Sequence, residues 1–498
     1  MNRLKISLTF IISMVYVTFA GAQQILKLDL ESSINIAKEK SNTMLKLKQN
    51  LEGVGYDLKA ATSKLKTHVG LNMVAPNFTK TIQQYQDSLG LHFIPVSQNT
   101  LNSYLTINQP LPTDGNLFIR SGMENITDYY YGKRNSQLTS VIGLTQPITA
   151  FFGYNTISLG FKQAKLKYDR SLKQLKRAEL DLVYNVSQAF FTLLSFHERL
   201  NIADLTLQRQ KEAYEIAQKK FKAGLIREVE ALQMEVDLGD AINSHDIANI
   251  NYLSQMTLFK EQLGIDLKDS VTIQTGLDYQ TVKIDIEKAV SLALENRLEL
   301  KEDEINIELN RMDIKRQKAQ GRISGNLTFN YEFNGINQSS RDVYWQTALN
   351  NTWNDFQHRP GNLGVGLFLT IPIIDWGENR AKVRSAQSTL IENQIQLTSD
   401  KIDIERDVRT TVSRLQSNLR RLQLLEKNTV VAEKSFEISR QRYTNGDIDS
   451  QAMALERERL NTAYITRLDA FINYKLYLAD IMRKTFFDFE KNVSLLGL

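Results

Sequence analysis

The sequence predicts a mostly α chain with a small antiparallel β part, built from two copies of one unit of roughly 230 residues. Three observations lead there. Segments recur: Leu28-Asp29-Leu30-Glu31 returns as Ile284-Asp285-Ile286-Glu287, and at the same offset Ala37 falls on Ala293 and Asp57 on Asp313. Gln146-Pro147 followed by Gly153 returns as Ile371-Pro372 followed by Gly377, and Phe221-x-x-Gly224 as Tyr443-x-x-Gly446. All seven prolines lie in two windows, Pro76 to Pro147 and Pro360 with Pro372. Because proline breaks helix interiors, 148–359 and 373–498 are free to be helical nearly throughout. The alternating, strand-like patterns lie in and around the proline windows.

Residues 1–22 read as a secretory signal. Arg3 and Lys5 are basic, Ile6 to Phe19 are apolar, and Ala20-Gly21-Ala22 offers a cleavage site. The apolar run falls short of the roughly 20 residues a spanning helix needs. The first repeat, 23–264, then opens with an amphipathic helix, 30–66. Strand patterns fall within about 69–147: Val69 to Phe78 and Gln137 to Gln146 form the expected pair. Between them, Tyr104 to Asn108 and Leu117 to Ser121, joined by Pro112-Thr113-Asp114-Gly115, form an extra hairpin whose place, in the sheet or in a loop, the pattern leaves open.

A long helix follows at about 154–222. Leu172, Val186, Leu193, Leu200, Leu207, Tyr214 and Phe221 keep a seven-residue spacing that Glu179 interrupts, with a second row through Leu175, Leu182, Ala189, Phe196, Ala203 and Ala217 that lapses at Gln210. A 3.5-residue repeat packs helices as left-handed coiled coils, and at 1.5 Å per residue this helix spans about 100 Å. Gly224 marks its end, and a return helix is expected at about 228–263. Residues 265–283 read as a connecting segment.

The second repeat, 284–498, follows the same order: helix, strands at about 326–334 and 363–372, a long helix at about 377–444 and a return helix at about 449–487. Leu327, Phe329, Tyr331 and Phe333 alternate with polar residues at period two. Residues 335–361, rich in Asn, Ser, Gly and aromatics, read as a long exposed loop.

Composition narrows the function classes. The chain has no cysteine, which excludes disulfides and thiolate metal sites. Its formal charge of +5 falls to about +3 when Arg3 and Lys5 leave with the signal, giving no support for nucleic-acid binding. His68, His92, His197, His245 and His358 show no metal-ligand spacing, and Gly53-Val54-Gly55 and Gly364-Val365-Gly366 lack the rest of a phosphate loop. No catalytic, cofactor or metal site is expected.

Two strand pairs give four strands per chain. Four strands cannot close, and an open sheet edge in lipid leaves unpaired backbone groups. Copies must pool their strands, and three chains would supply twelve, an even count within the range of bacterial outer-membrane barrels. The fold expected is a trimeric 12-stranded β-barrel continued by a long α-helical coiled-coil tunnel. The competing architecture is a secreted structural coiled-coil or adhesin, which the duplicated strand pairs between helices do not fit.

In the order and spacing of these features, over essentially the whole mature chain, the sequence resembles the TolC family of outer-membrane efflux channels. The resemblance implies a homotrimer in the outer membrane of a Gram-negative bacterium, with most of the chain in the periplasm. It also implies docking to a periplasmic adaptor and an inner-membrane RND or ABC transporter, to pass drugs, toxic compounds or proteins outward.

Adaptor docking is then expected at the two helix-hairpin tips: Phe221, Lys222, Gly224 and Leu225 in the first copy, with Arg442, Tyr443, Asn445, Gly446 and Asp447 in the second. Such channels close the tip with tyrosine, arginine and acidic contacts, which gives Glu230, Tyr443, Asp447 and Asp449 as candidates for a periplasmic gate. The second copy departs from the family pattern, with Ile448, Ala452 and Leu455 where an arginine and two acidic residues can stand. Lys162, Lys165, Lys167, Arg170 and Lys173, with Arg380, Lys382 and Arg384, would lie near lipid phosphates, and Trp376 is the favoured interfacial anchor.

Overall fold

The computed structural model describes residues 26–88, 90–274 and 276–495. The expected signal, 1–22, lies outside them. In chain order the first copy contains β1 (Leu26–Leu28), α1 (Leu30–Lys40), α2 (Asn42–Ser63), β2 (His68–Asp87), β3 (Gly90–Pro110), β4 (Asn116–Asp128) and β5 (Lys133–Pro147). A 3-10 turn (Ile148–Phe152) leads to α3 (Thr156–Lys222) and α4 (Glu228–Leu263). The second copy follows with β6 (Val271–Ile273), α5 (Ile286–Asn296), α6 (Leu298–Gln320), β7 (Ser324–Ser340), α7 (Trp345–His358) and β8 (Asn362–Thr370). It ends with α8 (Glu378–Asn445), α9 (Ser450–Thr485) and the two-residue strands β9 (Phe487–Asp488) and β10 (Val493–Ser494).

The recurring aspartates show why the two copies start alike. Asp29 Oδ1 accepts from Ser32 N at 2.8 Å ahead of α1, and Asp285 Oδ1 accepts from Lys288 N at 2.8 Å ahead of α5. Each satisfies an amide that the first helical turn leaves without a partner.

The chain divides into two compact units. One, helical, takes the described residues up to Asn50, Leu172–Glu302 and those from Leu397 onward. Its core is made where heptad rows meet: Leu182, Val186, Ala189 and Leu193 of α3 cluster with Phe259 and Leu263 of α4, Val408, Leu415 and Leu422 of α8, and Phe471, Leu478 and Ile481 of α9. Strand β1 pairs in parallel with β6, and Tyr474 Oη donates to Gln280 O at 2.7 Å and accepts from Val282 N at 3.1 Å, so the connecting segment is held onto this core. One buried cation belongs to it: Lys484 Nζ lies 2.8 Å from Asp480 and 2.9 Å from Asp407 and donates to Thr411 Oγ1 at 2.8 Å.

The other unit, Leu51–Ser171 with Asp303–Gln396, holds a six-stranded antiparallel sheet in the order β2-β3-β4-β5-β7-β8. Six strands stand where four were expected, because the hairpin around Pro112-Thr113-Asp114-Gly115 enters the sheet as β3 and β4. A single register row crosses all of them: Val69, Ile107, Ile119, Ile142, Tyr331 and Leu363 are successive partners. The neighbouring row on the opposite face reads Gly70, Thr106, Arg120, Val141, Glu332 and Asn362. The sheet therefore has one apolar and one largely polar face, the alternation that period-two side chains impose. Much of this apolar row is exposed: Val69 and Leu363 at the edges are 65% and 64% exposed, Ile119 and Ile142 41% and 44%, with Ile107 and Tyr331 half-buried. The expected loop 335–361 is partly structured, since β7 runs to Ser340 and α7 packs on β7 through Ala348 and Thr352, both buried.

Candidate functional site

The features placed for function are the two helix-hairpin turns and the strand-to-helix junctions. At the first turn, α3 ends at Lys222. Gly224 N donates to Phe221 O at 2.9 Å and Leu225 N to Lys220 O at 2.8 Å, with Gly224 at φ +68. At the second, Gly446 N donates to Tyr443 O at 3.2 Å and Asp447 N to Arg442 O at 2.9 Å, with Gly446 at φ +90. Both are the six-to-one and left-handed closure that glycine permits after a helix. The two Phe/Tyr-x-x-Gly motifs thus build one turn twice.

Around these turns Phe221, Lys222, Leu225, Arg442, Asn445 and Asp447 are exposed, Leu225 at 73%. Tyr443 is not. It is 3% exposed and packs with Phe436, Met453 and Leu460, with Ile216 and Ile448 at the edge. Its side chain therefore shapes the turn from inside and offers no surface in this conformation. Asp449 is the N-cap of α9, accepting from Ala452 N at 2.8 Å, which gives it a structural task. Glu230 sits in the first turn of α4 and pairs with Arg227 at 3.0 Å.

A residue the sequence patterns missed, Lys220, joins the two turns. Its Nζ donates to Tyr443 O and stands 4.5 Å from the centre of the Tyr443 ring, a cation–π contact. Burial pushes the Lys220 ammonium below its ordinary range, and Glu230 opposes that shift. Burial likewise raises the Tyr443 hydroxyl, and Glu230 adds to it. Glu230, Lys220 and Tyr443 therefore form one electrostatic group, while Asp449 caps α9 and Asp447 is exposed at the second turn. A second missed contact lies farther along the same helices. Arg457 of α9 donates to Gln210 of α3 and pairs with Asp237 of α4 at 3.0 Å, with both charged side chains largely buried. Neither contact has a sequence signature, since its members are far apart in the chain.

At the junctions below the sheet, apolar side chains project outward. Phe151 is 73% exposed, Ile373 88% and Trp376 96%. Trp376 also holds a left-handed φ of +53, followed by Gly377 at +83. Asp375 caps the start of α8 through Gly377 N at 3.0 Å and Asn379 N at 3.1 Å, and those two amides hold its carboxyl below the usual range. The other junction is fastened by the extra hairpin: Asp114 accepts from Thr156 N at 2.9 Å and Ile157 N at 3.1 Å, so the β3–β4 turn caps α3. Among the described residues no helix is long and apolar enough to cross a membrane, and no group of acidic or histidine side chains could hold a metal ion.

Comparison with known proteins agrees with this geometry. Nodulation protein T of Rhizobium leguminosarum bv. trifolii is 20% identical over 304 residues, spanning 57% of this chain and 58% of that relative's length. Among solved structures, the Campylobacter jejuni CmeC outer membrane channel has a TM-score of 0.69 at 16% identity, over 92% of this chain and 85% of its own. CusC has a TM-score of 0.68 at 13% identity, over 94% and 95%. Residues 120–255 and 289–470, one stretch in each copy, match the family of outer membrane efflux proteins, and to that family the chain belongs.

Proposed function

We propose that the chain is the exit duct of a tripartite export assembly, a homotrimer seated in the outer membrane of a Gram-negative bacterium. Its sheet would contribute to a transmembrane barrel and its helices to a coiled-coil tunnel through the periplasm. The observation that carries this reading is the apolar row from Val69 to Leu363 across six strands, much of it exposed. Water does not tolerate a contiguous apolar face of that extent, whereas lipid makes it the stable side of a barrel strand. The exposed Phe151, Ile373 and Trp376 suit an interfacial girdle below it, with Lys162, Lys165, Arg380 and Arg384 within reach of lipid phosphates.

The helices support self-association. Val229, Leu232 and Val236 of α4 are exposed along one stripe, and Leu424, Val431 and Ile438 of α8 recur every seven residues, also exposed. Knobs at that spacing are covered by neighbouring helices in coiled coils, and further copies of this chain would cover them. The exposed tips at Phe221, Lys222, Leu225, Arg442, Asn445 and Asp447 would dock a periplasmic adaptor, itself joined to an RND or ABC pump. The Glu230, Lys220 and Tyr443 group would hold the tip closed. Small toxic molecules or proteins would pass through without chemistry by the duct.

Fractionation tests the reading. Detergent-dependent extraction from the outer-membrane fraction as a trimer supports it. Recovery as a monomer in detergent-free buffer ends it and favours a secreted coiled-coil protein.

A further inference from the structure

The sheet has two open edges, β2 and β8. With six strands, all antiparallel to their neighbours, these edge strands run in opposite directions. Head-to-tail association would therefore set β8 of one copy antiparallel to β2 of the next. Exposed edges of this length are a pairing template, and in lipid their free amides and carbonyls must be satisfied.

Two observations count all six strands, and not four, as wall. The apolar row runs through β2 and β3 without a break: Val69 and Ile107 stand in register with Ile119, Ile142, Tyr331 and Leu363. A hairpin folded aside as a loop has no reason to keep that register or that face. The turn that joins β3 to β4 is also built into the frame, since its Asp114 caps α3 and Asn155 Nδ2 donates to Pro112 O at 2.7 Å.

We infer that the edges β2 and β8 bind a second copy of this chain, and that three copies of the six-stranded sheet close a single barrel of eighteen strands. The inference rests on the trimeric outer-membrane reading above. Barrel diameter grows roughly linearly with strand number, so the exit would be ~1.5 times as wide as one of twelve strands. At that size a barrel leaves an open aqueous channel, and the polar face with Thr106, Arg120 and Glu332 would line it.

The absence of cysteine makes the test direct. In the full-length chain, cysteine pairs are introduced with one member on β2 (Val69, Leu71 or Met73) and the other on β8 (Leu363, Val365, Leu367 or Leu369). A second series pairs the same β8 positions with Leu117 or Ile119 of β4. Antiparallel neighbours lie within disulfide reach. Cells are oxidised, and membranes are resolved on non-reducing gels, with single-cysteine variants as controls. The expected result is covalent trimers from at least one β2–β8 pair and none from the β4 series. Trimers from β4–β8 pairs would overturn the inference, because each chain would then give four strands and twelve in all. Covalent dimers from β2–β8 pairs with no trimers would overturn it too, since two chains would close the barrel. An uncrosslinked trimer by light scattering in detergent, with no link in either series, would overturn the inference and leave the trimeric reading standing. A monomer by light scattering would remove both.

Discussion

Placing a side chain at Gly224 or Gly446 tests whether the twin turns matter as shapes. A Cβ at either would meet no heavy atom within 4 Å, so substitution adds no crowding. The cost is in the backbone, with φ at +68 and +90. Holding an L-residue there costs about 1–2 kcal/mol, which lowers the population of the native turn about 5- to 30-fold. Alanine should cost that much and β-branched valine more, while asparagine, which visits this region readily, should stay near glycine. None of these values unfolds a helical unit with a core of this extent, so the trimer proposed above should persist. The assay is complementation of a strain lacking its own copy, read as susceptibility to the compounds that the deletion makes toxic, with a native gel in parallel. The expected order of export is Gly, Asn, Ala, Val, with trimer constant. Wild-type export from the Gly224→Val, Gly446→Val double variant would refute the tip assignment.

Three further outcomes follow from contacts within the helical unit. Tyr443→Ala should destabilise the second hairpin by about 3–5 kcal/mol by analogy with other aromatic truncations, whereas Tyr443→Phe keeps its shape; limited proteolysis near Asn445 should accelerate only in the former. Lys484→Ala should lower thermal stability by less than the about 3–5 kcal/mol of a fully orphaned buried charge, because Asp480 keeps Arg483 at 2.8 Å while Asp407 and Thr411 lose the ammonium, and Lys484→Met should be tolerated no better if the remaining charge sets the cost. Glu198 is held below its ordinary value of 4.5, first by its hydrogen bond with His197 and against the effect of burial. Its contribution is therefore fully present above pH 4.5 and lost as pH falls through the depressed value, so the melting difference between wild type and Glu198→Gln should vanish in acid. A difference that persists well below that range would contradict the assignment.

Local chemistry decided how much could be read from the sequence. The turns were legible because glycine suits the left-handed backbone at 224 and 446 best, and the starts of α1 and α5 because an aspartate before each leaves a recurring mark. The heptad at Val186 and Leu193 was visible because these residues face one packed core. Strands β2 and β3 were harder. Beyond the bulge between Val74 and Asn77, where Pro76 sits, the phase of alternation changes. Along β3, residues from Ser97 to Ser103 are polar on both faces except for Leu101, so no period-two signal survives. Helix α7 was hidden by asparagines and threonines of modest helix propensity; its packing on β7, close over Gly335, compensates. Lys220 and Arg457 were illegible because their partners lie more than two hundred residues away.

The duplication has a geometric corollary at the two helix-hairpin turns. Each polypeptide presents two turns with the same bonding scheme, so a threefold ring would display six, alternating between two slightly different sequences. A ligand protein recognising only backbone shape would see sixfold order, and one reading side chains would see threefold order. Exchanging Lys222–Leu225 with Thr444–Asp447 between copies would reveal which description the proposed docking protein obeys.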